Sequence, residues 1–281
     1  MRALIDGDVL VYKCGFAAQK TIYHIFEGDK EVPSSWVYCE TKDNAKEANQ
    51  LILDSSTGNL FKEPEVIVED VSHALHNVRH MIERIMEETR CNDYRLILSG
   101  HDNYRLTVDS TKPYKGNRDP EYKPAHYTAI KDYMYNHHPC ETANGMEGDD
   151  LMGIRQMESG GNTVICSIDK DMLMIPGWHY NLDKGNMFEQ DPDGANYVFF
   201  KQLITGDSTD NIPGLRGWGE KKAEKLLAEW PPYEWWTVIA EEYQEQYGDQ
   251  WVIYEQAYLL WILRSLSEIE KPVQWWRICN E

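Results

Sequence analysis

The 281-residue chain sets 28 Lys and Arg against 47 Asp and Glu, a formal net charge of −19 at pH 7, with 42% hydrophobic and 27% charged residues. That composition excludes global disorder and collagen-like repeats. The acidity argues against a nucleic-acid partner, because phosphate backbones are gripped by clustered cations.

The length suits one large domain or two modest ones, enough for a sizeable core. Residues 1–5 pass straight into Asp6 and Asp8 with no apolar signal-peptide region, and no run reaches the roughly 18 apolar residues of a membrane span. Six cysteines at 14, 39, 91, 140, 166 and 279 are scattered without a CxxC pair. Reduced thiols in a cytoplasmic protein are expected, not a disulfide framework or a zinc knuckle.

Residues 2–5 read as a short buried strand, followed by Asp6-Gly-Asp8 and an apolar stretch to Ala18 with the character of a helix. Residues 27–65 are polar and irregular, an expected insertion. Apolar residues at 71, 74, 75, 78, 81, 82, 85 and 86 follow the helical period. Residues 94–98 are a strand ending at Ser99-Gly100, and a basic, turn-rich segment follows over 105–123. Helices are expected at about 125–137 and 147–157, with a buried strand over 163–168 between that second helix and Asp169. Strands alternating with helices predict a mostly parallel sheet with helices on its faces. From about 201 the pattern is helical, and eight of the ten tryptophans lie at 218 or later. Those within 229–281 are expected in a core.

The acidic residues with chemical potential form four clusters: Asp6 with Asp8; Glu147, Asp149 and Asp150; Asp169 and Asp171; Asp207 and Asp210. In open α/β sheets ligands bind beyond the carboxyl ends of strands, where Asp6 and Asp169 fall. Glu147 and Asp150, three apart, share a helix face, whereas Asp149 joins them only if the helix begins there. Each carboxylate alone fits an ordinary turn or cap, and Asp8 reads best as the cap of the following helix. Four clusters at element boundaries together favour a site filled by Mg²⁺ or Mn²⁺. Asp191-Pro-Asp193-Gly lacks the ligand spacing of an EF-hand.

Cationic counterparts sit in two segments. Residues 99–144 are net neutral and hold Arg105, Tyr114, Lys115 and Arg118, which suit a phosphate clamp beside a stacking ring or an ordinary solvated turn. Residues 201–228 carry a net +1. Within them Gly214, Gly217 and Gly219 permit a tight turn open to phosphate, ahead of a helix bearing Lys221, Lys222 and Lys225.

In chain order, Asp6-Gly-Asp8, Tyr114-Lys-x-Asn-Arg118, Glu147-Gly-Asp-Asp150, Asp169-Lys-Asp171, Gly206-Asp-x-x-Asp210 and Gly214-x-x-Gly-x-Gly219 resemble the 5′ nuclease (flap endonuclease) superfamily. Within it the chain looks most like the replication-associated 5′→3′ exonucleases of tailed phages. The resemblance runs by motif from residue 2 to about 227, and beyond that only around Gln256-Ala257 and Leu263-Arg264.

It implies an α/β fold, with a PIN-like nuclease core over residues 1–200 and a helical, DNA-binding helix-three-turn-helix region over 201–281. By that resemblance Asp6, Glu147, Asp149, Asp150, Asp169, Asp171, Asp207 and Asp210 hold two Mg²⁺ or Mn²⁺ ions. Asp6, Asp150 and Asp169 then act in catalysis with Lys115 and Arg118 at the scissile phosphate. Arg105, Tyr114, Lys115, Arg118, Gly217, Gly219, Lys221 and Lys222 contact DNA, with K⁺ at the turn. The implied activity is hydrolysis at DNA 5′ ends, on duplexes, flaps or RNA/DNA hybrids, by a monomer in the infected host's cytoplasm, serving replication, primer removal or host DNA breakdown. One departure stands out: the family places a metal-site Asp where this chain has Ser99-Gly100, and the nearest carboxylate is Asp102. Three rival readings remain: a PIN-type ribonuclease, a non-catalytic branched-DNA-binding protein and a phosphohydrolase of small molecules.

Overall fold

The computed structural model describes residues 1–27, 30–31, 38–39, 60–119, 122–271 and 273–279. The chain divides into two compact units, one of Met1–Val9, Ile82–Tyr122 and His137–Glu281, the other of Leu10–Met81 and Lys123–Asn136.

The first unit is built on a six-stranded sheet in the order β10-β9-β8-β1-β6-β7. Its centre is β1 (Arg2–Asp6), flanked in parallel by β6 (Asp93–Ser99) and β8 (Thr163–Ser167). β7 (Cys140–Ala143) and β9 (Gly177–Asn181) extend it in parallel, and β10 (Asn186–Gln190) closes one edge antiparallel to β9. Every residue of β8 is buried, as are Ala3, Leu4 and Ile5 of β1, the continuous apolar pattern of strands covered on both faces. Because β1, β6 and β8 run in parallel and in register, their carboxyl ends open on one sheet edge. Helix α1 (Gly7–Ala17) starts directly at the end of β1. A side chain at Gly7 would come within 2.8 Å of the Ile97 carbonyl oxygen, so only glycine lets the chain turn so tightly there.

The second unit carries β2 (Gln19–Glu27) paired antiparallel with β5 (Leu60–Val68) from Gln19↔Val68 to Glu27↔Leu60, with short β3 (Lys30–Glu31) and β4 (Tyr38–Cys39) on the other edge of β2. The expected irregular insertion at 27–65 is therefore strand at its carboxyl end, and its remainder lies largely outside the described residues. Helix α2 (Val71–Thr89) buries Ala74, Val78, Ile82 and Ile85, the stripe its sequence period announces. Helix α3 covers Tyr127–His137.

Back in the first unit, α4 (Gly148–Glu158) packs on β1, β6, β7 and β8. Helix α5 (Pro192–Thr205) begins at Asp191, whose carboxylate accepts the Gly194 N–H at 2.6 Å. Asp191 is thus a helix cap with proline following it, and the division expected at residue 200 falls inside this helix. Helices α6 (Glu220–Glu229), α7 (Trp235–Tyr247) and α8 (Trp251–Leu260) complete the helical part. Trp235, Trp236, Trp261 and Trp275 are buried there around Phe199 and Phe200, whereas Trp230, Trp251 and Trp276 are exposed. The core expectation for residues 229–281 thus holds for four of their seven tryptophans.

Cys14, Cys91, Cys140, Cys166 and Cys279 are free thiols. Among the described residues no helix is long and apolar enough to cross a membrane.

Candidate active site

The acidic segments meet at the carboxyl end of the sheet, all within the first unit. Asp6 ends β1, and its two oxygens accept the Val9 N–H at 2.9 Å and the Ser167 hydroxyl at 2.7 Å. Asp6 therefore caps α1, the role expected of Asp8. Asp8 lies in the helix's first turn, and one of its oxygens accepts the Ser99 N–H at 2.8 Å. The carboxylate missing from the end of β6 is thus matched by one reaching over from α1. Asp102 is exposed, while its neighbour Asn103 donates to Glu147 at 2.7 Å. The Ser99 hydroxyl accepts the Gly148 N–H at 2.9 Å, fastening the start of α4 to the same strand end.

Because α4 begins at Gly148, Glu147 is its cap and the three acids diverge. Asp149 lies in the field of Asp6, Asp169 and Glu147, and burial and this repulsion hold its carboxyl well above the usual range. No described residue donates a hydrogen bond to it. Burial pushes Asp6 up to about 7, opposed by its two hydrogen bonds and reinforced by Asp8 and Asp169. Asp169 caps a short 3₁₀ turn over Lys170–Met174, accepting the Asp171 N–H at 2.8 Å, and burial raises it too. Asp171 is pushed up to about 7 by burial, Asp169 and Asp207. The Gln202 amide bridges Asp171 at 3.0 Å and Asp207 at 3.1 Å, while the Thr209 N–H holds the other Asp207 oxygen.

Glu147, Asp149, Asp171, Asp207 and Asp210 line one cleft. Tyr114, which also lines this cleft, and its neighbours Lys115 and Arg118 meet Glu147 and Asp210. The Tyr114 hydroxyl lies 2.9 Å from an oxygen of each, Lys115 pairs with Glu147 and stands 3.7 Å from Asp210, and Arg118 pairs with Asp210. Burial raises the Glu147 carboxyl, but Lys115, Arg105 and the Tyr114 hydroxyl together hold it below its ordinary value, and Asp210 raises the Arg118 guanidinium against its own burial. Backbone contacts fix this arrangement: the Lys115 N–H donates to the Asp210 carbonyl at 2.9 Å, and the Asn117 amide to the Ser208 carbonyl at 2.7 Å. Lys115 adopts φ +54° to make them.

Two expected site residues are held in a buried ion pair beside the cleft. Asp150 is fully buried and receives both arms of the Arg105 guanidinium, at 2.5 and 2.8 Å, together with the N–H groups of Glu147 and Leu263. Arg105, 2% exposed, spends its other donors on the Leu259 and Trp261 carbonyls at the end of α8. Arg105 also stands 3.7 Å from Glu147, and the buried Arg105–Asp150 pair ties α4 to α8, an arrangement that differs from the expected metal-ligand and catalytic role of Asp150 and DNA contact of Arg105. Their types and spacing alone carry no sign of burial, which depends on the distant end of α8.

At the glycine-rich turn, Gly206 (φ +71°) and Gly214 (φ +61°) lie backbone against backbone, with a Cβ on either placed within 2.6 Å of the other's N. The Gln256 side chain accepts the Gly214 N–H at 2.8 Å, and the Tyr247 hydroxyl donates to the Gly214 carbonyl at 2.6 Å. Gly217 and Gly219 are exposed with open space beside them, and Lys221 and Lys222 are exposed on the first turn of α6, whose N-terminus has no side-chain cap. Sequence reasoning missed Asn103, Ser167 and Gln202. Only Gln202 carried a signal, an amide five residues before Asp207 on a helix ending at the site.

Among the described residues no three carboxylate, imidazole or thiol groups stand close enough to cage one ion. The donor set nonetheless fits Mg²⁺ or Mn²⁺, which are held by one or two carboxylates and keep several waters. The half-buried Asp149 carboxylate, short of any donor, is where the fit is best.

No family model matches the chain. It is 32% identical over 140 residues to the exonuclease of Escherichia phage T7, covering 47% of this chain and 46% of that protein. It is likewise 32% identical over 133 residues to the exodeoxyribonuclease of Enterobacteria phage T3, covering 44% of each. The aligned part spans about half the length of these curated relatives. Among solved structures it superposes on the phage T5 5′-exonuclease with bound zinc at a TM-score of 0.54 and 14% identity, covering 92% of this chain and 89% of that one. In sequence the chain resembles the phage 5′→3′ exonucleases of the 5′ nuclease superfamily, and its fold is that of the phage T5 5′-exonuclease.

Proposed function

We propose that the chain is a divalent-metal-dependent nuclease that hydrolyses DNA from 5′ ends, on duplexes or 5′ flaps, in the cytoplasm of a phage-infected cell. Replication, primer removal or host DNA breakdown are the processes such an activity serves. The observation that carries the reading is the Asp149 carboxylate, without a hydrogen-bond donor amid Asp6, Asp169 and Glu147, beside the Lys115 and Arg118 pairs to Glu147 and Asp210.

Asp6, Glu147, Asp149, Asp169, Asp171, Asp207 and Asp210 are the residues that would hold two Mg²⁺ or Mn²⁺ ions. Bound there, the ions supply a nucleophilic hydroxide at neutral pH and offset charge on the scissile phosphate. The protein's own part is positioning. Ser167 and the Val9 N–H hold Asp6, Gln202 holds Asp171 beside Asp207, and Asn103 and Tyr114 hold Glu147. Lys115 and Arg118 neutralise Glu147 and Asp210 in the cation-free site, and are the groups placed to bind phosphate once cations take over that task. The open turn at Gly217 and Gly219 with Lys221 and Lys222 suits the backbone of a duplex, and a K⁺ ion at this turn belongs to the same reading.

A non-catalytic DNA-binding role draws on Ser99-Gly100, but Asp8 brings a carboxylate to that strand end. The discriminating experiment incubates end-labelled duplex, 5′-flap DNA and RNA with Mg²⁺ or EDTA. Release of nucleotides or short oligonucleotides from DNA 5′ ends in Mg²⁺ alone supports the proposal. Binding without cleavage supports the non-catalytic reading, cleavage of RNA alone a ribonuclease, and no interaction a small-molecule enzyme.

The raised carboxyls also fix a pH dependence. Burial in the folded protein pushes Asp6 and Asp171 from the ordinary 3.8 up to about 7, so between these values the folded state binds more protons. Their contribution to stability is present at low pH and lost as pH rises through 7. The metal-free protein is therefore expected to gain more in Tm from Mn²⁺ at pH 8 than at pH 5, measured by calorimetry. Equal gains at both would contradict the placement of the ions among these carboxylates.

A further inference from the structure

A second cavity, of about 380 Å³, opens beside Asp169 over the outer strands of the sheet. The strand register sets its floor in two rows. Ile165, His179 and Phe188 lie abreast on β8, β9 and β10, and Ser167, Asn181 and Asn186 form the next row towards the carboxyl end of β8. Met172 and Leu173 of the 3₁₀ turn after Asp169 wall one side, and Ile168 stands 39% exposed at the mouth. The His179 and Phe188 rings are stacked, with centroids 5.7 Å apart and planes at 16°. Such a floor is aromatic at one end, where His179 is buried against the Ile175 carbonyl and Phe188 is half-buried, and lined with amides at the other.

The rim is cationic in an acidic protein. Lys170 and Lys184 both line it, both are exposed, and neither forms a salt bridge with a described residue. Asn186 is exposed and its side chain has no hydrogen bond among the described residues. The opposing charges are Asp183 and Asp169, and the second belongs to the set proposed to hold cations. An aromatic floor, an amide with no hydrogen bond among the described residues, and two ammonium groups without a salt bridge there, beside a carboxylate proposed to hold cations, together match a base, its polar edge and a phosphate.

We propose that this cavity binds one nucleoside 5′-monophosphate unit, base against Phe188 and phosphate towards Lys170, Lys184 and the Asp169 side. The inference rests on the nuclease reading of the neighbouring cleft, because Asp169 lines this cavity and belongs to that carboxylate set. The unit is either the terminal nucleotide of a DNA 5′ end or the same nucleotide after release, chemically alike at the phosphate and base.

Isothermal titration of the full chain with 2′-deoxyadenosine 5′-monophosphate in Mg²⁺ tests it, together with the variants Lys184→Glu and Asn186→Ala, both at exposed positions that leave the core intact. Saturable binding is expected, weakened about tenfold by Lys184→Glu, the scale of one reversed charge-assisted contact. Deoxyadenosine and inorganic phosphate should each bind more weakly than the nucleotide. Competition of the nucleotide with cleavage of a labelled duplex, relieved in Lys184→Glu, assigns the cavity to the terminal nucleotide as well as to the released one. Binding that is absent, unchanged in both variants, or matched by inorganic phosphate alone overturns the proposal. Cleavage without nucleotide binding removes the cavity and leaves the nuclease reading standing. Variant-sensitive nucleotide binding without cleavage of any DNA does the reverse.

Discussion

Asp169→Ala is expected to slow cleavage of 5′-flap DNA in Mg²⁺ by about 10²–10³-fold or more, on the scale of losing a principal electrostatic group of an active site, while DNA affinity stays within about threefold. The substitution is clean for structural reasons. One Asp169 oxygen caps a short 3₁₀ turn at the Asp171 N–H, so the loss to stability is about 1 kcal/mol. Burial and the neighbouring carboxylates already disfavour its charge, so removing it relieves repulsion in the cation-free protein. DNA affinity should persist, because Lys115, Arg118, Lys221 and Lys222 are untouched. Single-turnover cleavage and EDTA-phase binding of the same substrate separate the two effects. A wild-type cleavage rate in this variant would dismiss the metal assignment. Asp6→Ala should behave alike, but it also frees the Val9 N–H and the Ser167 hydroxyl, which makes it the less selective choice.

Arg105→Ala is expected to act on stability instead, by about 3–5 kcal/mol, because it leaves Asp150 charged, fully buried and without its counter-ion. It also strips donors from the Leu259 and Trp261 carbonyls at the end of α8. A fall in Tm of about 10 °C follows for a chain of this size. The double variant Arg105→Ala with Asp150→Ala should recover part of that loss, since no lone charge is then buried. Thermal melts of the single and double variants decide it. A single variant that melts like the wild type but binds DNA poorly would return Arg105 to the substrate.

Much of the active-site geography was legible in the sequence because strand-end carboxylates announce themselves by position. Asp6 closes a buried apolar strand, Asp169 lies two residues past the end of another, and the period of α2 marked its buried face. The need for glycine at 214 was legible, but its backbone-to-backbone partner, Gly206, was not, because that approach depends on the packing of the preceding helix end. Facing direction was not. Whether Asp149 or Asp150 looks into the cleft depends on the exact residue at which α4 begins, and a start at Gly148 sends Asp149 to Asp6 and Asp150 to Arg105. The same applies at α1, where a start at Gly7 makes Asp6 the cap and turns Asp8 towards Ser99. The β9–β10 hairpin and the β2–β5 pair escaped notice because their strands mix polar and apolar residues without strict alternation. Pairing of distant segments supplies what local pattern lacks.

The central claim is that carboxylates from four separate segments hold divalent cations at the end of one sheet. An anomalous difference map from crystals soaked in Mn²⁺ at neutral pH tests it directly. Mn²⁺ peaks bound to Asp149, and shared with carboxylates from the Asp6, Asp169 or Asp207 segments, are the expected result. A cleft free of Mn²⁺, with Lys115 still on Glu147 and Arg118 still on Asp210, would contradict it.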